Sequence, residues 1–215
     1  MAMIFDDFLA AADSAVALLA SDEVAAGWGR ASACEGFTVG GLAAHLGWQV
    51  QSARWALECP RPAADAPVTG LLGHYAAVPW LGAGVDAPVN VGIRDSGEQR
   101  SQAGPAEVAR VTREARDEVV GLLAAAAPGE AVAMPWIEGR AMTAEDLLAT
   151  RLMELLVHGD DLAVSVGVAT AAVTDSAYER VNDLLVRLAA RRHGPVALLR
   201  ALARAERAPE TVSAF

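Results

Sequence analysis

The sequence predicts an all-α fold, a four-helix bundle with a short helical extension at its C-terminus. Hydrophobic residues make up 53% of the 215 residues but aromatic residues only 5%, so Ala, Leu and Val fill most apolar positions, as is typical of helices. Four long segments repeat their apolar residues every three or four positions. Proline, glycine and small polar residues separate these segments, which indicates connections between helices.

Capping residues mark the ends of three of the four long helices. Thr38 is placed to cap the second helix, and Pro105 suits the first turn of the third. Thr143 and Asp146 have the spacing of a capping box for the fourth helix, with Asp in place of the usual Glu or Gln. Gly167 is a suitable C-cap for that helix. The predicted helices span residues 3–20, 38–58, 105–127 and 143–165.

The segments between the helices are predicted to be mostly irregular. After a short helix at residues 69–81, the glycine-rich stretch 82–104 is expected to form a long loop, a kind of segment that often carries function. Residues 131–142 are expected to form a short extended stretch and a turn. We expect residues 1–167 to form the bundle and residues 168–215 to form a helical extension packed on it.

Composition argues against several classes of partner. The formal net charge of −10 disfavours nucleic acid, which requires a basic surface. Asp6 and Asp7 stand where a signal peptide would carry cations, and no apolar stretch reaches the roughly 18 residues of a membrane span. Cys34 and Cys59 are too few for a disulfide framework and are expected to be reduced. We therefore expect a cytoplasmic monomer or homodimer that acts on a small molecule.

The segment RLMELLVHGDDLA, at residues 151–163, carries the strongest signal for a site. Glu154 and His158 lie one helical turn apart and so share a face, and His45 lies on the apolar side of the second helix. Two imidazole nitrogens and one carboxylate oxygen match the ligand set of a catalytic zinc site with an open position. The alternative is a buried hydrogen-bond network, because such pairs also arise by chance.

Other polar residues are weaker candidates. Arg151 and Asp161 lie three positions outside the Glu154 and His158 pair, so they either orient the ligands or are ordinary surface charges. Two interpretations of His74 are open. It has a role in the site, where it lines the pocket or acts as a general acid, or it is a packing residue without a role in the site. No flanking cation favours a reactive thiol at Cys34, which we interpret as a small apolar residue. The larger aromatic residues are expected in the core or the pocket wall: Trp48, Trp55, Trp80 and Trp136.

Two motifs together resemble a known family. CEGFTVGGLAAHL, at residues 34–46, and RLMELLVHGDDLA resemble the paired motifs of the mycothiol-dependent maleylpyruvate isomerase group within the DinB-like superfamily. The resemblance covers about residues 1–167 and implies a divalent metal held by His45, Glu154 and His158. Asp160 replaces the Trp usual in the family, and residues 168–215 are too short for the separate α/β domain of the full isomerases.

The resemblance also implies a reaction class. A divalent metal would bind a low-molecular-weight thiol such as mycothiol and keep it deprotonated as a thiolate. Zinc is the first candidate for this metal and nickel the second. Addition of that thiolate to an electrophilic carbon followed by elimination is isomerisation, and addition alone is S-transfer. A metal-dependent hydrolase and a non-catalytic metal-binding protein remain as alternatives. The sequence contains no GxSxG, P-loop, HExxH or dinucleotide-binding motif that would favour another chemistry.

Overall fold

A computed structural model describes residues 3–63, 65–137 and 139–215 and confirms the predicted all-α bundle. The four long helices form its framework. In chain order the elements are α1 Met3–Leu19, α2 Asp22–Gly27, α3 Val39–Glu58, α4 Leu71–Ala77, α5 Pro88–Ser101, α6 Pro105–Ala125, β1 Ala131–Ala133, β2 Ala141–Thr143, α7 Ala144–Val166, α8 Asp175–His193 and α9 Pro195–Ala203, followed by a 3-10 turn at Ala205–Arg207.

The core lies between α1, α3, α6 and α7. Helix α3 packs against α5, α6 and α7, and α1 packs against α6 and α7. Large side chains from these helices are completely buried, among them Phe8, Leu42, Leu46, Leu148 and Leu152. Each contributes about 1.5–3 kcal/mol by burial, so the apolar faces read from the periodicity supply the main driving force for the bundle.

The predicted caps are present at the two helices that carry the site. Thr38 Oγ1 accepts a hydrogen bond from the Gly41 N–H at 2.9 Å, and Thr143 Oγ1 accepts one from the Asp146 N–H at 3.1 Å. The Asp146 carboxylate accepts a hydrogen bond from the Leu71 N–H at 3.1 Å and so fastens α4 to the start of α7. At the other end of α7, Gly167 adopts φ 77°, a left-handed conformation that suits glycine.

The prediction of a long loop at residues 82–104 was wrong, because helix α5 occupies most of this stretch. Gly97 of this helix allows close packing against α3. A Cβ atom on Gly97 would lie 2.7 Å from the Gly41 carbonyl oxygen, so α5 and α3 approach closely at this point. Tertiary packing therefore overrides the poor helix propensity of the segment. Residues 21–37, predicted as a plain connection, also contain the short helix α2.

The C-terminal helices are tied to the bundle by polar contacts at a buried acid. Helix α8 packs against α1 and α7. Asp7 is only 1% exposed and accepts hydrogen bonds from Thr174 Oγ1 at 2.7 Å and Ser176 Oγ at 2.5 Å. The end of the chain packs beside the α4–α5 connection, where the Phe215 ring lies 5.6 Å from the Trp80 ring.

Strands β1 and β2 form a small antiparallel pair that leads directly into α7. Val132 pairs with Met142, and both side chains are buried. This pair confirms the extended stretch and turn predicted at residues 131–142. Among the described helices, none is both long enough and apolar enough to span a bilayer.

The contact between α3 and α5 can be tested with two glycines of the same helix. Gly97→Ala should lower the free energy of unfolding by about 1–3 kcal/mol, because the added methyl group overpacks the interface. Gly92→Ala is the matched control, since Gly92 is exposed with no atom within 4 Å of an added Cβ. It should raise stability by about 0.5–1 kcal/mol through helix propensity. Urea denaturation followed by circular dichroism measures both, and equal effects would contradict the close approach.

Candidate metal centre

Helices α3 and α7 bring the three predicted ligands together. His45 projects from α3, and Glu154 and His158 project from α7 one turn apart. Glu154 Oε2 lies 3.7 Å from His45 Nε2 and 3.2 Å from His158 Nε2. The two imidazole rings meet edge to face with their centroids 4.9 Å apart. All three side chains are largely shielded, with 14% of His45, 12% of Glu154 and 18% of His158 exposed.

The spacing of these donor atoms fits a divalent cation. Zinc lies about 2.0–2.2 Å from nitrogen and oxygen ligands, which places tetrahedral ligands about 3.3 Å apart. The two measured separations, 3.2 and 3.7 Å, lie close to that value, and the donor atoms of all three residues lie within 4.8 Å of one another. The residues therefore fit a three-ligand metal site with two nitrogen donors and one oxygen donor.

The Glu154 carboxylate is held in its charged form. Burial opposes its ionisation, but hydrogen bonds with His158 and His45 and the nearby positive charges of His158 and Arg151 outweigh burial, so the pKa of Glu154 lies well below its ordinary value. An anionic oxygen is the form that binds a cation. The carboxylate is therefore ready to act as a ligand near neutral pH.

The two histidines differ in their electrostatic environment. Burial is the main reason that the pKa of His45 is lowered, which favours its neutral imidazole form. Burial also disfavours the charged form of His158, but hydrogen bonds with Asp161, Cys34 and Glu154 raise its pKa well above the ordinary value. The acidic neighbours of His158 thus favour its charged form, whereas His45 favours its neutral form.

Asp161 orients His158. Its Oδ2 lies 3.0 Å from His158 Nδ1, while Nε2 of the same ring faces Glu154. A carboxylate on the far nitrogen of a metal-binding histidine fixes the ring orientation and raises its basicity. The structure thus places Asp161 where the sequence-based hypothesis required an orienting residue.

Gln49 is a site residue that the sequence analysis did not identify. Its amide nitrogen lies 3.2 Å from His45 Nε2 and donates to the His45 carbonyl oxygen at 3.0 Å. Its Oε1 accepts a 2.6 Å hydrogen bond from Arg151 Nη1. Arg151 therefore reaches His45 through Gln49, whereas the sequence had suggested an action on its neighbour Glu154. The only available signal was the four-residue spacing of Gln49 from His45 on α3.

The three candidate ligands face a pocket of about 580 Å³. Arg151, Cys34 and His74 also line it, and His74 is only 3% exposed. Much of the remaining wall is apolar and comes from α3 and the residues just before it, the α4–α5 connection, α5, α7, the β1–β2 turn and the end of the chain: Phe37, Trp48, Val78, Pro79, Trp80, Val85, Val89, Ile93, Trp136, Ile137, Met153, Val157 and Phe215. Trp48, Trp80 and Trp136 thus confirm the pocket-wall prediction. The same prediction was wrong for Trp55, which is 40% exposed.

Cys34 lies at the edge of the core beside the ligands. It packs against the apolar cluster, as the sequence suggested. Its sulfur also lies within 4.8 Å of donor atoms of His158 and Asp161. The thiol is free and partly buried, so it contributes a soft, polarisable group to this side of the pocket.

One protein family matches most of the chain. The model of the mycothiol maleylpyruvate isomerase N-terminal domain matches residues 9–163. The chain belongs to this family. The family is part of the DinB-like superfamily, and the matched range includes His45, Glu154 and His158. Searches of curated proteins and of solved structures found no match.

Asp160, the residue that differs from the maleylpyruvate isomerase motif, lies outside the pocket that His45, Glu154 and His158 face. Asp160 is exposed and accepts a hydrogen bond from Thr170 Oγ1. It lines a separate small cavity between α1 and α7 with Leu18 and Tyr178. The residue at the position of the family's usual tryptophan therefore does not line the wall around His45 and His158.

Removal of a ligand should abolish metal binding. His45→Ala, Glu154→Ala and His158→Ala each delete one of three donors, so we expect near-stoichiometric zinc in the unsubstituted protein and less than a tenth of it in each variant. The control is His193→Ala. His193 is not one of the three candidate ligands, and its ring nitrogen contacts the Ser213 carbonyl oxygen instead. Elemental analysis of proteins with matching helical circular dichroism measures the difference. Stoichiometric metal in His158→Ala would contradict the assignment.

Two adjacent aspartates provide a sharper test of the orienting contact. Asp161→Asn should weaken zinc affinity about 10–100-fold, the usual effect of losing a carboxylate behind a ligating histidine. Asp160→Asn is the matched control and should leave affinity unchanged, because Asp160 contacts Thr170 instead. Competition with a chromophoric chelator measures both affinities. Equal affinities for the two variants would argue against the role of Asp161.

Proposed function

We propose that this protein is a metal-dependent enzyme that uses a low-molecular-weight thiol, mycothiol or a similar molecule. The enzyme either isomerises a small electrophilic substrate or attaches the thiol sulfur to it. We further propose zinc as the metal, nickel being the second candidate, and a cytoplasmic monomer or homodimer as the working form. The convergence of His45, Glu154 and His158 on one pocket carries the proposal. Membership of the maleylpyruvate isomerase domain family supports the thiol.

The number of ligands favours a catalytic over a structural site. Structural zinc sites are usually closed by four protein ligands, whereas catalytic sites have three and leave one position open. Among the described residues, the set around Glu154 contains two histidines and one carboxylate. The open side faces a pocket of about 580 Å³, enough for a small substrate beside a thiol.

The chain's own residues position and shield the reacting groups. A divalent ion at this site would supply the positive charge that keeps a thiol deprotonated near neutral pH. Asp161 fixes the His158 ring, and Gln49 spans His45 and Arg151. Trp136 and Val157 are among the apolar residues that exclude water, which protects a thiolate and strengthens electrostatic interactions.

The thiol chemistry fits such a pocket. A thiolate sulfur forms a bond to the electrophilic carbon, and the displaced electron pair moves to the adjacent acceptor group. In an isomerisation, rotation about the resulting single bond precedes loss of the same thiolate. In an S-transfer, a proton takes up the electron pair, or a leaving group carries it away, and the sulfur stays attached. Both outcomes need the same arrangement of thiol and carbon.

Thiol-dependent turnover tests the proposal. Zinc-loaded protein, mycothiol and a panel of activated alkenes, epoxides and alkyl halides should give turnover that requires thiol. Turnover should fall about a thousandfold in His158→Ala, because metal stabilisation of charge is worth several kcal/mol. Asp160→Asn should retain it. Thiol loss and product formation can be followed by mass spectrometry.

The other outcomes point to the alternative functions. Equal turnover with and without any added thiol would contradict a thiol cosubstrate and favour a hydrolase. Metal binding without turnover across the whole panel would favour a non-catalytic metal-binding protein. Activity that survives loss of zinc from the protein would contradict the role of the metal.

A further inference from the structure

Cys34 and Asp161 lie beside the second ring nitrogen of His158. Asp161 Oδ2 is 3.0 Å from His158 Nδ1, whereas Nε2 of the same ring faces Glu154. Among the described residues, Cys34, His158 and Asp161 form a second group whose sulfur, nitrogen and oxygen donor atoms lie within 4.8 Å of one another. Because Asp161 contacts Nδ1, this second group meets at that nitrogen. The two groups of donors therefore share His158 and approach it from opposite edges of the ring.

The loop that carries Cys34 is fastened to α7 next to these donors. The Ala33 N–H donates to Ser165 Oγ at 2.8 Å, and Ser165 Oγ donates to the Asp161 carbonyl oxygen at 2.5 Å. Within the loop, the Phe37 N–H donates to the Cys34 carbonyl oxygen at 3.1 Å. The backbone on both sides of the thiol is thus held in place. Donors that are positioned in advance lose less conformational entropy when they bind a ligand.

The separations of the three donor atoms suit a tetrahedral cation. Zinc lies about 2.3 Å from sulfur and about 2.0–2.2 Å from nitrogen or oxygen, so its ligands are about 3.3–3.6 Å apart. The 3.0 Å between His158 and Asp161 and the 4.8 Å limit for the whole group bracket that range. The Asp161 side chain is 31% exposed. A water molecule can therefore complete the coordination from the solvent side.

The thiol gives this group a different metal preference from that of the first group. His45, Glu154 and His158 offer two nitrogens and one oxygen, whereas the second group replaces one nitrogen with sulfur. Thiolate ligands favour zinc and other thiophilic ions over magnesium or manganese. An orienting role for Asp161 explains its contact with His158, but it leaves the adjacent thiol without a function.

We infer that Cys34, Asp161 and Nδ1 of His158 form a second cation site, which binds zinc or another thiophilic divalent ion. This site shares only His158 with the candidate metal centre, and it does not depend on the proposed thiol reaction. The entering ion replaces the proton on Nδ1 and the proton of the Cys34 thiol, and the solvent takes up the thiol proton.

The shared imidazole couples the two sites. With the first site empty, a ring proton remains on Nε2 of His158. With both sites filled, Nε2 and Nδ1 each bind an ion, and His158 bridges them as an imidazolate after its last ring proton has left to solvent. The second ion also takes the Asp161 carboxylate away from its hydrogen bond with the ring. Its binding therefore changes the ligand strength of His158 in the first site.

Cadmium titration detects the second site through its sulfur ligand. A cadmium–thiolate bond gives an ultraviolet charge-transfer absorption that nitrogen and oxygen ligands do not give. Chelator-treated unsubstituted protein should develop this absorption, and Cys34→Ser should lose it. Cys59→Ser is the matched control and should keep it, because Cys59 caps the other end of α3. Cadmium affinity measured at this absorption should fall about tenfold or more in Asp161→Asn and stay unchanged in Asp160→Asn.

His45→Ala separates the second site from the candidate metal centre. This variant loses a ligand of the centre and keeps all three donors of the second site, so the absorption should persist. Its persistence supports the inference even if no metal binds beside His45 and no thiol-dependent turnover is found. Loss of the absorption in His45→Ala overturns the inference, because the thiolate would then be a ligand of the centre itself. Unsubstituted protein without the absorption, or equal absorption in Cys34→Ser, also overturns it.

Thiol labelling decides the question if Cys34→Ser is unfolded. In His45→Ala protein, saturating cadmium should slow alkylation of Cys34 by iodoacetamide about tenfold or more, because the ion holds the thiolate that the reagent attacks. Alkylation of Cys59 should keep its rate. Peptide mass spectrometry measures both rates in the same sample. Equal labelling of Cys34 with and without cadmium would rule out the second site.

Discussion

The candidate site depends on one buried carboxylate at the crossing of α3 and α7. Glu154 is charged and only 12% exposed, so its negative charge requires compensation within the protein. His45 and His158 contact it from both helices, and a divalent cation between the three would complete the compensation. Removing one partner would leave a buried charge uncompensated, which usually destabilises a protein by about 3–5 kcal/mol. The same groups thus link the stability of the bundle to its chemistry.

The pocket around this carboxylate depends on elements outside the four long helices. Helix α5 supplies part of the wall, and it can do so because Gly97 allows its backbone to lie against α3. Glu98 on the same helix accepts hydrogen bonds from the Thr38 N–H at 2.8 Å and from Thr38 Oγ1. The residue that caps α3 is therefore also the one that fastens α5, so the position of His45 and the shape of the pocket are coupled.

The sequence was informative where a local pattern decides the outcome. Apolar periodicity located the long helices, and Thr38 and Thr143 marked their starts because a hydroxyl there accepts a backbone N–H that the helix leaves free. The spacing of Glu154 and His158 placed both on one face. Helix α5 was missed, since its glycine and serine content is typical of loops and its stability comes from contact with α3. Gln49 was missed because a polar residue beside a histidine is unremarkable until Arg151 is known to lie opposite.

By itself the sequence determined the fold class and put Glu154 and His158 on one face of a single helix, because periodicity and short spacings follow from the geometry of one helix. The assignment of these two residues and His45 as metal ligands stays a prediction. Only the tertiary structure decided that α5 closes the pocket, that Asp161 lies behind His158, and that Arg151 reaches His45 through Gln49 instead of contacting Glu154. These features join residues distant in the chain. Their distances depend on how the helices pack, and a local pattern does not contain that information.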